Sequence, residues 1–231
     1  MKTLFLTGAG RGVGAALADQ LSATWNLILL ARSEASAQAL QERYPTATVI
    51  LGDLADPEGV AARVGPAVRD ALTGPGLDGF VSCAGIEGAA PLEDVTDGFL
   101  RDVYSTNVLS PILLTRELLP CLRNASGNVI YVGSTAATLD FPGWLPYSTS
   151  KAALEKAASV LRVEEKGLRV STVTPGRIDT DMQRDMAEKQ DRVFDPSTAM
   201  SPTSVAWAIR MVLEAPADSV IEQLTVTPTS R

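Results

Sequence analysis

Near its start the chain reads Leu4-Phe5-Leu6-Thr7-Gly8-Ala9-Gly10-Arg11-Gly12-Val13-Gly14. The apolar residues that open this stretch predict a short buried strand, and the apolar residues spaced along 17–21 predict a helix. Glycines between a strand and a helix let the backbone approach a phosphate group, which the helix N-terminus attracts through its free N–H groups and its dipole. A phosphate-binding turn is therefore a better interpretation than a turn that is merely tight.

The spacing of the glycines narrows the kind of turn. It departs from G-x-G-x-x-G, because Val13 stands where the third glycine would be. It follows T-G-x-x-x-G-x-G instead, through Thr7, Gly8, Gly12 and Gly14. A motif of this kind is convincing only between a strand and a helix, which is where the pattern places it.

Composition bounds the class of protein. The 231 residues are 45% hydrophobic, enough for a substantial core, and carry a formal net charge of −7, which argues against nucleic-acid or anionic-membrane partners. The chain has 2 cysteines, too few for a disulfide framework, and no histidine. Acid–base chemistry must therefore use Tyr, Lys, Asp, Glu or Ser, and a metal site is not expected. The N-terminus is too short in apolar residues for a signal peptide, so we expect a soluble, cytoplasmic protein.

Strands and helices alternate along the rest of the chain. Apolar runs predict strands at 4–6, 26–31, 47–51, 77–82, 127–132, 168–174 and 220–226. Helical patterns lie at 33–44, 56–72, 92–104, 108–122, 147–161 and 205–213. The polar, weakly patterned segment at about 181–200 is expected to be a mobile substrate flap. The alternation predicts one α/β domain over 1–231, a doubly wound, Rossmann-type three-layer sandwich with a mostly parallel sheet of about seven strands.

Ligands of such sheets bind at the carboxyl ends of the strands. Small or polar residues follow predicted strands at 8–14, Arg32, Asp53, Gly85, Ser134 and 175–180. At the end of the second strand an acidic residue binds the ribose hydroxyls of NAD, whereas an arginine suits the 2′-phosphate of NADP. Arg32 stands there and Arg11 lies in the glycine turn, which favours NADP over NAD. The alternative for each arginine is a solvated surface charge.

Several residues along this edge have two interpretations. Asp53 would accept a hydrogen bond from an adenine amino group or cap the helix beginning near 56–57. Asn107, between two predicted helices, would be functional or only a cap. Leu139, Phe141 and Trp144 would form a substrate wall or pack on the body of the protein.

Tyr147 and Lys151 are four residues apart at the start of a predicted helix. Positions i and i+4 lie on one helix face, so the ammonium would stabilise a phenolate and lower its pKa from the usual value of about 10. Tyr147 would then be an acid or base near neutral pH. For the two residues alone, an ordinary surface Tyr and Lys is the better interpretation, because short motifs match by chance.

Together, the glycine motif, Asp53, Asn107, Ser134, Tyr147, Lys151 and Pro175-Gly176 occur in a characteristic order and spacing. In this set the chain resembles the short-chain dehydrogenases/reductases over essentially its whole length, in their short, single-domain, NADP-preferring type. The resemblance implies that Tyr147 exchanges a proton with the substrate oxygen and that Lys151 holds the nicotinamide ribose and lowers the phenol pKa. It implies that Ser134 hydrogen-bonds the carbonyl and that Asn107 positions a water linking Lys151 to solvent.

The resemblance also implies the cofactor contacts and the assembly. NADP(H) is expected, NAD(H) less so, at Gly8, Arg11, Gly12, Val13, Gly14, Arg32, Ser33, Asp53, Leu54, Ala84, Gly85, Tyr147, Lys151, Pro175, Gly176, Ile178 and Thr180. Thr180 would bind the nicotinamide carboxamide. The family pattern further implies a homodimer or homotetramer.

One position departs from the family pattern, which usually has Asn-Ala-Gly after the fourth strand. This chain has Cys83-Ala84-Gly85, and a thiol cannot reproduce the hydrogen bonds of an amide. We expect some loss of local rigidity and no loss of activity. A buried thiol has a raised pKa, so Cys83 is not expected to be a nucleophile.

The sequence thus predicts an NADPH-dependent carbonyl reductase, or alcohol dehydrogenase in reverse, acting on a small ketone, aldehyde or hydroxy compound. The alternative from another class is a non-catalytic NADP-binding regulator or redox sensor on the same fold, which the unusual Cys83 alone favours. An epimerase or dehydratase of nucleotide sugars would need a longer C-terminal substrate domain than the residues after Thr180 offer.

Overall fold

A parallel sheet organises the protein. The computed structural model describes residues 1–189 and 192–229. The strands in these ranges are β1 (Lys2–Thr7), β2 (Trp25–Ala31), β3 (Thr48–Leu51), β4 (Gly79–Ser82), β5 (Asn128–Val132), β6 (Arg169–Pro175) and β7 (Gln223–Val226). They form one sheet of 7 strands in the order β3-β2-β1-β4-β5-β6-β7, with every neighbouring pair parallel. The chain reverses its direction of winding between β1 and β4, where doubly wound sheets open a crevice. The predicted Rossmann-type fold is confirmed.

Helices cover both faces of this sheet. They are α1 (Gly12–Leu21), α2 (Glu34–Arg43), α3 (Pro57–Gly59), α4 (Gly65–Asp70), α5 (Asp97–Tyr104), α6 (Ser110–Ala125), α7 (Leu145–Glu164), α8 (Asp181–Glu188) and α9 (Pro202–Leu213). Turns of π-helix at Val60–Val64 and Ser105–Leu109 join α3 to α4 and α5 to α6. Within the described ranges, none of these helices is both long and apolar enough to cross a bilayer.

Side chains alternate between two cores, one on each face of the sheet. Along β1, Leu4 and Leu6 pack with residues of α1 and α9, whereas Phe5 packs with residues of α6 and α7. Phe5 also stacks on Phe80 of β4 at a centroid distance of 5.3 Å. This alternation is the period of two that a strand imposes on its side chains. Because apolar residues fill both faces of the sheet, the candidate functional side chains lie at the ends of the strands.

Three local predictions are wrong. Asn107 does not separate two helices, because α5 continues through the π turn into α6. The helix carrying Tyr147 begins at Leu145, since Pro146 fits the first turn, where its missing N–H costs nothing. The last strand begins only at Gln223.

The segment at about 181–200, expected to be a mobile substrate flap, contains regular structure in its first part. Asp181–Glu188 is an α-helix in which Met186 is 1% exposed, and Met200 pairs with Ile178 in an isolated β-bridge. Too few apolar residues repeat along this segment to predict a helix from the sequence. Its helical structure therefore depends on tertiary contacts. Residues 190 and 191 of the expected flap lie outside the described residues.

Candidate active site

The glycine turn is built for close backbone contact. Gly8 and Gly12 have φ of +78° and +58°, which only glycine adopts readily. A Cβ on Gly14 would lie 2.2 Å from the carbonyl oxygen of Gly8, and a Cβ on Gly8 would lie 2.8 Å from the backbone nitrogen of Ala84. The turn between β1 and α1 therefore folds tightly against the loop after β4 only because these positions lack side chains.

The N-terminus of α1 faces this turn with its backbone N–H groups. Arg11 is the N-cap, and its side chain makes no capping hydrogen bond to the described residues. The Arg11 guanidinium lies instead 3.7 Å from the Asp181 carboxylate at the start of α8, and both side chains are largely exposed. An exposed, uncapped helix end beside an arginine is a suitable cradle for the phosphates of a dinucleotide.

Thr7 ties the glycine turn to the neighbouring strand. Its hydroxyl oxygen accepts hydrogen bonds from the backbone N–H groups of Cys83 at 3.2 Å and Ala84 at 3.1 Å. Thr7 is completely buried, so these N–H groups have no access to water as a replacement partner. The sequence indicates Thr7 only as part of the glycine motif, and this role depends on a contact with a distant loop.

The Asn107 amide joins three segments around the site. Its Oδ1 accepts from the Ile86 N–H at 2.9 Å, and its Nδ2 donates to the Ile86 carbonyl at 3.0 Å and to the Ser150 hydroxyl at 3.1 Å. The π turn that carries Asn107 aims the amide at the loop after β4 and at α7, and Asn107 is 1% exposed. A Cβ on Gly85 would lie 3.2 Å from Asn107 Oδ1 and 3.5 Å from Lys151 Nζ, so Asn107 and Lys151 flank Gly85.

Tyr147 and Ser134 meet across the end of β5. Ser134 directly follows Gly133 at that end, and its side chain lies close enough to the Tyr147 phenol to act on the pKa of that group. Burial raises the pKa of Tyr147, and the contact with Ser134 lowers it by a smaller amount. Tyr147 is 7% exposed. The phenol therefore keeps its proton at neutral pH.

Lys151 lies next to Tyr147, but the pKa of Tyr147 differs from the one expected beside an ammonium. Its Nζ donates a hydrogen bond to the Val132 carbonyl oxygen at 2.9 Å and lies 5.8 Å from the centroid of the Tyr147 ring. Burial lowers the pKa of Lys151 to about 8, while the Cys83 and Glu155 side chains raise it. A net lowering of the Tyr147 pKa is not found, because burial of the phenol outweighs the opposing contact with Ser134.

Residues expected at the adenosine end occupy the predicted strand ends. Arg32 is exposed at the end of β2. The Ser33 hydroxyl caps α2 by accepting from the Ser36 N–H. Asp53 is exposed and its Oδ1 accepts from the Ala55 N–H at 3.0 Å, while the cap of α3 is Asp56 and not Asp53. The Leu54 side chain is 8% exposed, and its backbone is fixed by a hydrogen bond from Ser110 to its carbonyl oxygen.

Two adjacent cavities lie at this edge of the sheet. The smaller, of about 220 Å³, is lined by residues of the glycine turn, the loop after β4, α7 and β6. They include Gly8, Arg11, Gly12, Val13, Gly14, Ala84, Gly85, Tyr147, Lys151, Pro175, Ile178 and Thr180. Most of the residues predicted to hold a cofactor thus surround one space, whereas Arg32, Ser33, Asp53, Leu54 and Gly176 lie outside its lining.

The larger cavity, of about 580 Å³, begins at Ser134 and Gly176 and is mostly apolar. The Phe141 and Trp144 rings are in contact at a centroid distance of 4.8 Å, tilted by 37°, and Trp144 meets the Tyr147 ring edge-on at 5.9 Å. Arg177 lines the same space and donates to the Thr198 hydroxyl at 2.7 Å. The aromatic residues of the loop after β5 therefore form a wall that leads to the Tyr147 ring.

Helix α8 closes one side of the larger cavity. Gln183, Met186 and Ala187 line it, and Lys189 just beyond the helix forms an ion pair with Glu87 in the loop after β4. The end of α8 is thereby connected to the loop that also carries Gly85.

Cys83 is poorly suited to redox chemistry. Burial raises the pKa of its thiol to about 12, against an opposing effect of the Lys151 charge. Because the thiolate is the reactive form of cysteine, Cys83 is almost entirely unreactive near neutral pH. This agrees with the expectation from the sequence.

The features fit a nicotinamide dinucleotide. Glycines that a Cβ would obstruct leave room for a pyrophosphate at the α1 N-terminus, and the smaller cavity continues from there to Tyr147 and Lys151. Fold and site together define an NAD(P)-dependent oxidoreductase acting on CH–OH or C=O groups.

Comparison with known proteins gives the family. Residues 2–191 match the family model described as short chain dehydrogenase. An uncharacterized oxidoreductase of Saccharomyces cerevisiae is 33% identical over 193 residues, which are 81% of this chain and 74% of the relative. Sepiapterin reductase of Mus musculus is 34% identical over 200 residues, 78% of this chain and 75% of the relative. The chain belongs to the short-chain dehydrogenase/reductase family.

A solved structure confirms the fold independently. The alcohol dehydrogenase of the archaeon Thermococcus sibiricus, complexed with 5-hydroxy-NADP, superposes with a TM-score of 0.85. The alignment covers 100% of this chain and 98% of that chain at 23% identity. Likeness at this identity concerns the architecture, in which the seven-stranded sheet is shared.

Proposed function

We propose that this chain is an NADPH-dependent carbonyl reductase, working in reverse as an alcohol dehydrogenase, on a small to medium ketone, aldehyde or hydroxy compound. The observation that carries the proposal is the approach of Ser134, in the lining of the larger cavity, to Tyr147, in the lining of the smaller one. A carbonyl oxygen in the larger cavity reaches both hydroxyl groups from there.

The chain's own residues divide the work between them. The nicotinamide, when bound, supplies or accepts the hydride. Ser134 donates a hydrogen bond to the carbonyl oxygen as negative charge develops there, and the Tyr147 phenol gives that oxygen its proton. The raised pKa of Tyr147 keeps this proton available at neutral pH in the reductive direction. The Lys151 ammonium nearby stabilises the phenolate that remains.

The substrate class follows from the larger cavity. Phe141 and Trp144 offer an aromatic surface next to Tyr147, and Arg177 offers a cation in the same space. We infer a carbonyl compound with an apolar part, whose other substituents are polar or acidic. The name of the sepiapterin reductase relative is compatible with a ring-bearing carbonyl substrate of this kind.

Preference for NADPH rests on two exposed arginines. Arg11 is the N-cap of α1, and Arg32 directly follows β2. From these two places a guanidinium group can approach the adenosine 2′-phosphate. Because an arginine–phosphate contact is charge-assisted, Arg32→Ala should weaken NADPH about tenfold or more and leave NADH within about twofold. Arg101→Ala, at an exposed arginine of α5, is the matched control. Equal weakening of both cofactors by Arg32→Ala contradicts the assignment.

The function is tested by NADPH oxidation with a panel of aldehydes, aryl ketones and keto acids. Turnover of at least one class, abolished by Tyr147→Phe, supports it. Tight binding of NADPH with no turnover across the panel would favour the alternative, a non-catalytic NADP-binding regulator. The raised pKa of Cys83 already disfavours a thiol-based redox sensor.

Assembly and location are also proposed. Leu100, Leu109 and Ile112 expose 36%, 47% and 37% of their surfaces along α5, the π turn and α6, and support a homodimer or homotetramer. Sedimentation velocity tests this, with a monomer as the contrary result. The free cysteines Cys83 and Cys121 support a reducing, cytoplasmic location, and the net charge of −7 supports a small-molecule substrate over nucleic acid or membrane.

A further inference from the structure

Glu155 is an ionisable residue close to Lys151 that has no part in the mechanism described above. It lies on α7 one turn after Lys151, and so continues the helix face that carries Tyr147 and Lys151. Its Oε1 accepts a hydrogen bond from the Thr174 hydroxyl of β6 at 3.0 Å. Its carboxylate also faces the backbone N–H of Ser134, which acts to lower the Glu155 pKa. One half-buried acid therefore joins α7 to the ends of both β5 and β6.

The carboxylate is pressed against the backbone of β5. A Cβ on Gly133 would lie 2.6 Å from Glu155 Oε1, so only glycine lets the acid come this close. On the other side of Gly133, the Val132 carbonyl accepts from Lys151 Nζ at 2.9 Å. Two oppositely charged residues from successive turns of α7 thus contact the backbone on either side of Gly133. The Lys151 ammonium donates to the Val132 carbonyl, and the Glu155 carboxylate faces the Ser134 N–H.

This clasp reaches the reacting groups through Ser134. When the Ser134 backbone is held in place, its Cβ is held in place too. The position of the Ser134 side chain beside Tyr147 is then fixed. Displacements of about 1 Å in a positioning group can cost on the order of a hundredfold in rate. Placing Ser134 by a hydrogen bond to a charged group gives firmer support than a neutral acceptor would, because charge-assisted hydrogen bonds are about twice as strong.

Charge is the second contribution of Glu155. The titratable groups that face Lys151 are Tyr147 and Glu155 on its own helix and Cys83 on the loop after β4. Tyr147 and Cys83 are neutral at pH 7, because burial raises both of their pKa values. Burial raises the pKa of Glu155, while the Thr174 hydroxyl, the Ser134 N–H and the Lys151 charge act in the opposite direction and favour the ionised form. Glu155 therefore supplies the negative charge that opposes the burial penalty on Lys151.

We propose that Glu155 is a positioning residue of the carbonyl reaction, which fixes Ser134 against Tyr147 through the Ser134 N–H and balances the buried Lys151 ammonium. The inference rests on the proposed function for its effect on turnover. A purely structural link between β6 and α7 would instead change stability alone. The two roles are separated by removing the charge without removing the hydrogen-bond acceptor.

Glu155→Gln keeps an oxygen acceptor, and Glu155→Ala removes acceptor and charge together. Glu164→Gln, at an exposed position of α7, is the matched control. For Glu155→Gln we expect the alkaline limb of the kcat–pH profile to move about half a unit or more to lower pH, because Lys151 loses its proton more easily. For Glu155→Ala we expect kcat to fall about tenfold or more, with KM for NADPH within about twofold of the wild type.

A titration separates failure of this inference from failure of the proposed function. The ¹⁵N signal of Lys151 Nζ, assigned with Lys151→Met, reports the lysine pKa without any turnover. Glu155→Gln should lower that pKa and Glu164→Gln should leave it unchanged. If the wild type reduces no carbonyl compound, the proposed function fails while this titration still tests Glu155. An unchanged Lys151 titration in Glu155→Gln overturns the inference, and so does a wild-type kcat in a folded Glu155→Ala protein.

Discussion

The Lys151 ammonium lies 5.8 Å from the centroid of the Tyr147 ring, while its hydrogen bond goes to the Val132 carbonyl. The cation therefore acts on the phenol through space and not through a hydrogen bond. Burial destabilises the charged form of Lys151, so its pKa falls to about 8. The charge that should stabilise the Tyr147 phenolate is present below that pH and lost above it.

We therefore predict an alkaline limb near pH 8 in the reduction of a carbonyl compound. Lys151 is protonated below its pKa and neutral above it, so kcat should fall as the pH rises through about 8. Lys151→Met should reduce kcat about a hundredfold or more and remove that limb. Steady-state rates between about pH 6 and about pH 10, a range that spans the Lys151 pKa of about 8, measure both effects. A limb that persists in Lys151→Met would assign it to another group.

Replacement of Tyr147 should separate chemistry from cofactor binding. Tyr147→Phe removes the proton donor but keeps the ring, so kcat should fall about a thousandfold, within the usual range for loss of a general acid, while NADPH still binds. Tyr44→Phe is the control, because the Tyr44 hydroxyl bonds Asp19 at 2.7 Å between α1 and α2. It should lower stability by about 1 kcal/mol without changing kcat. Substantial turnover by Tyr147→Phe is incompatible with the mechanism.

Two glycines of the same turn should respond differently to alanine. A Cβ at Gly14 would lie 2.2 Å from the Gly8 carbonyl oxygen, whereas a Cβ at Gly10 meets no described atom within 4 Å. Gly14→Ala should therefore force the turn apart, with a loss of about 2 kcal/mol or more in stability and of most NADPH affinity. Gly10→Ala should leave both nearly unchanged. Thermal melting and fluorescence titration with NADPH measure the difference, and similar effects of the two variants would contradict the turn geometry.

Thr7 offers a test of the connection between β1 and the loop after β4. Thr7→Val keeps the shape but leaves the N–H groups of Cys83 and Ala84 without their acceptor, at a cost of about 1–3 kcal/mol. Thr7→Ser keeps the hydroxyl and should lose less. Urea unfolding compares the two, and equal stability of Thr7→Val and the wild type would mean that the buried N–H groups find another partner.

The sequence predicted that the reacting residues lie at the carboxyl edge of the sheet, but it did not predict the contacts between them. The positions of Tyr147 and Lys151 on one helix follow from their spacing, and Ser134 follows from the end of β5. The contact between Ser134 and Tyr147 joins separate elements and required the packed structure. Glu155 carries only the weak signal of lying four residues after Lys151, since Thr174 and Ser134 reach it from other strands.

The sequence by itself determined the order of the elements, the parallel sheet and the residues at its carboxyl edge. These follow from hydrophobic period and from the local geometry of glycine, both of which act between near neighbours in the chain. Only the tertiary structure decided that α5 continues to Asn107 through a π turn, that 181–188 is helical, and that burial raises the Tyr147 pKa. Desolvation and hydrogen bonds between distant segments exist only once the chain has packed, and these are the effects that set the chemistry of the site.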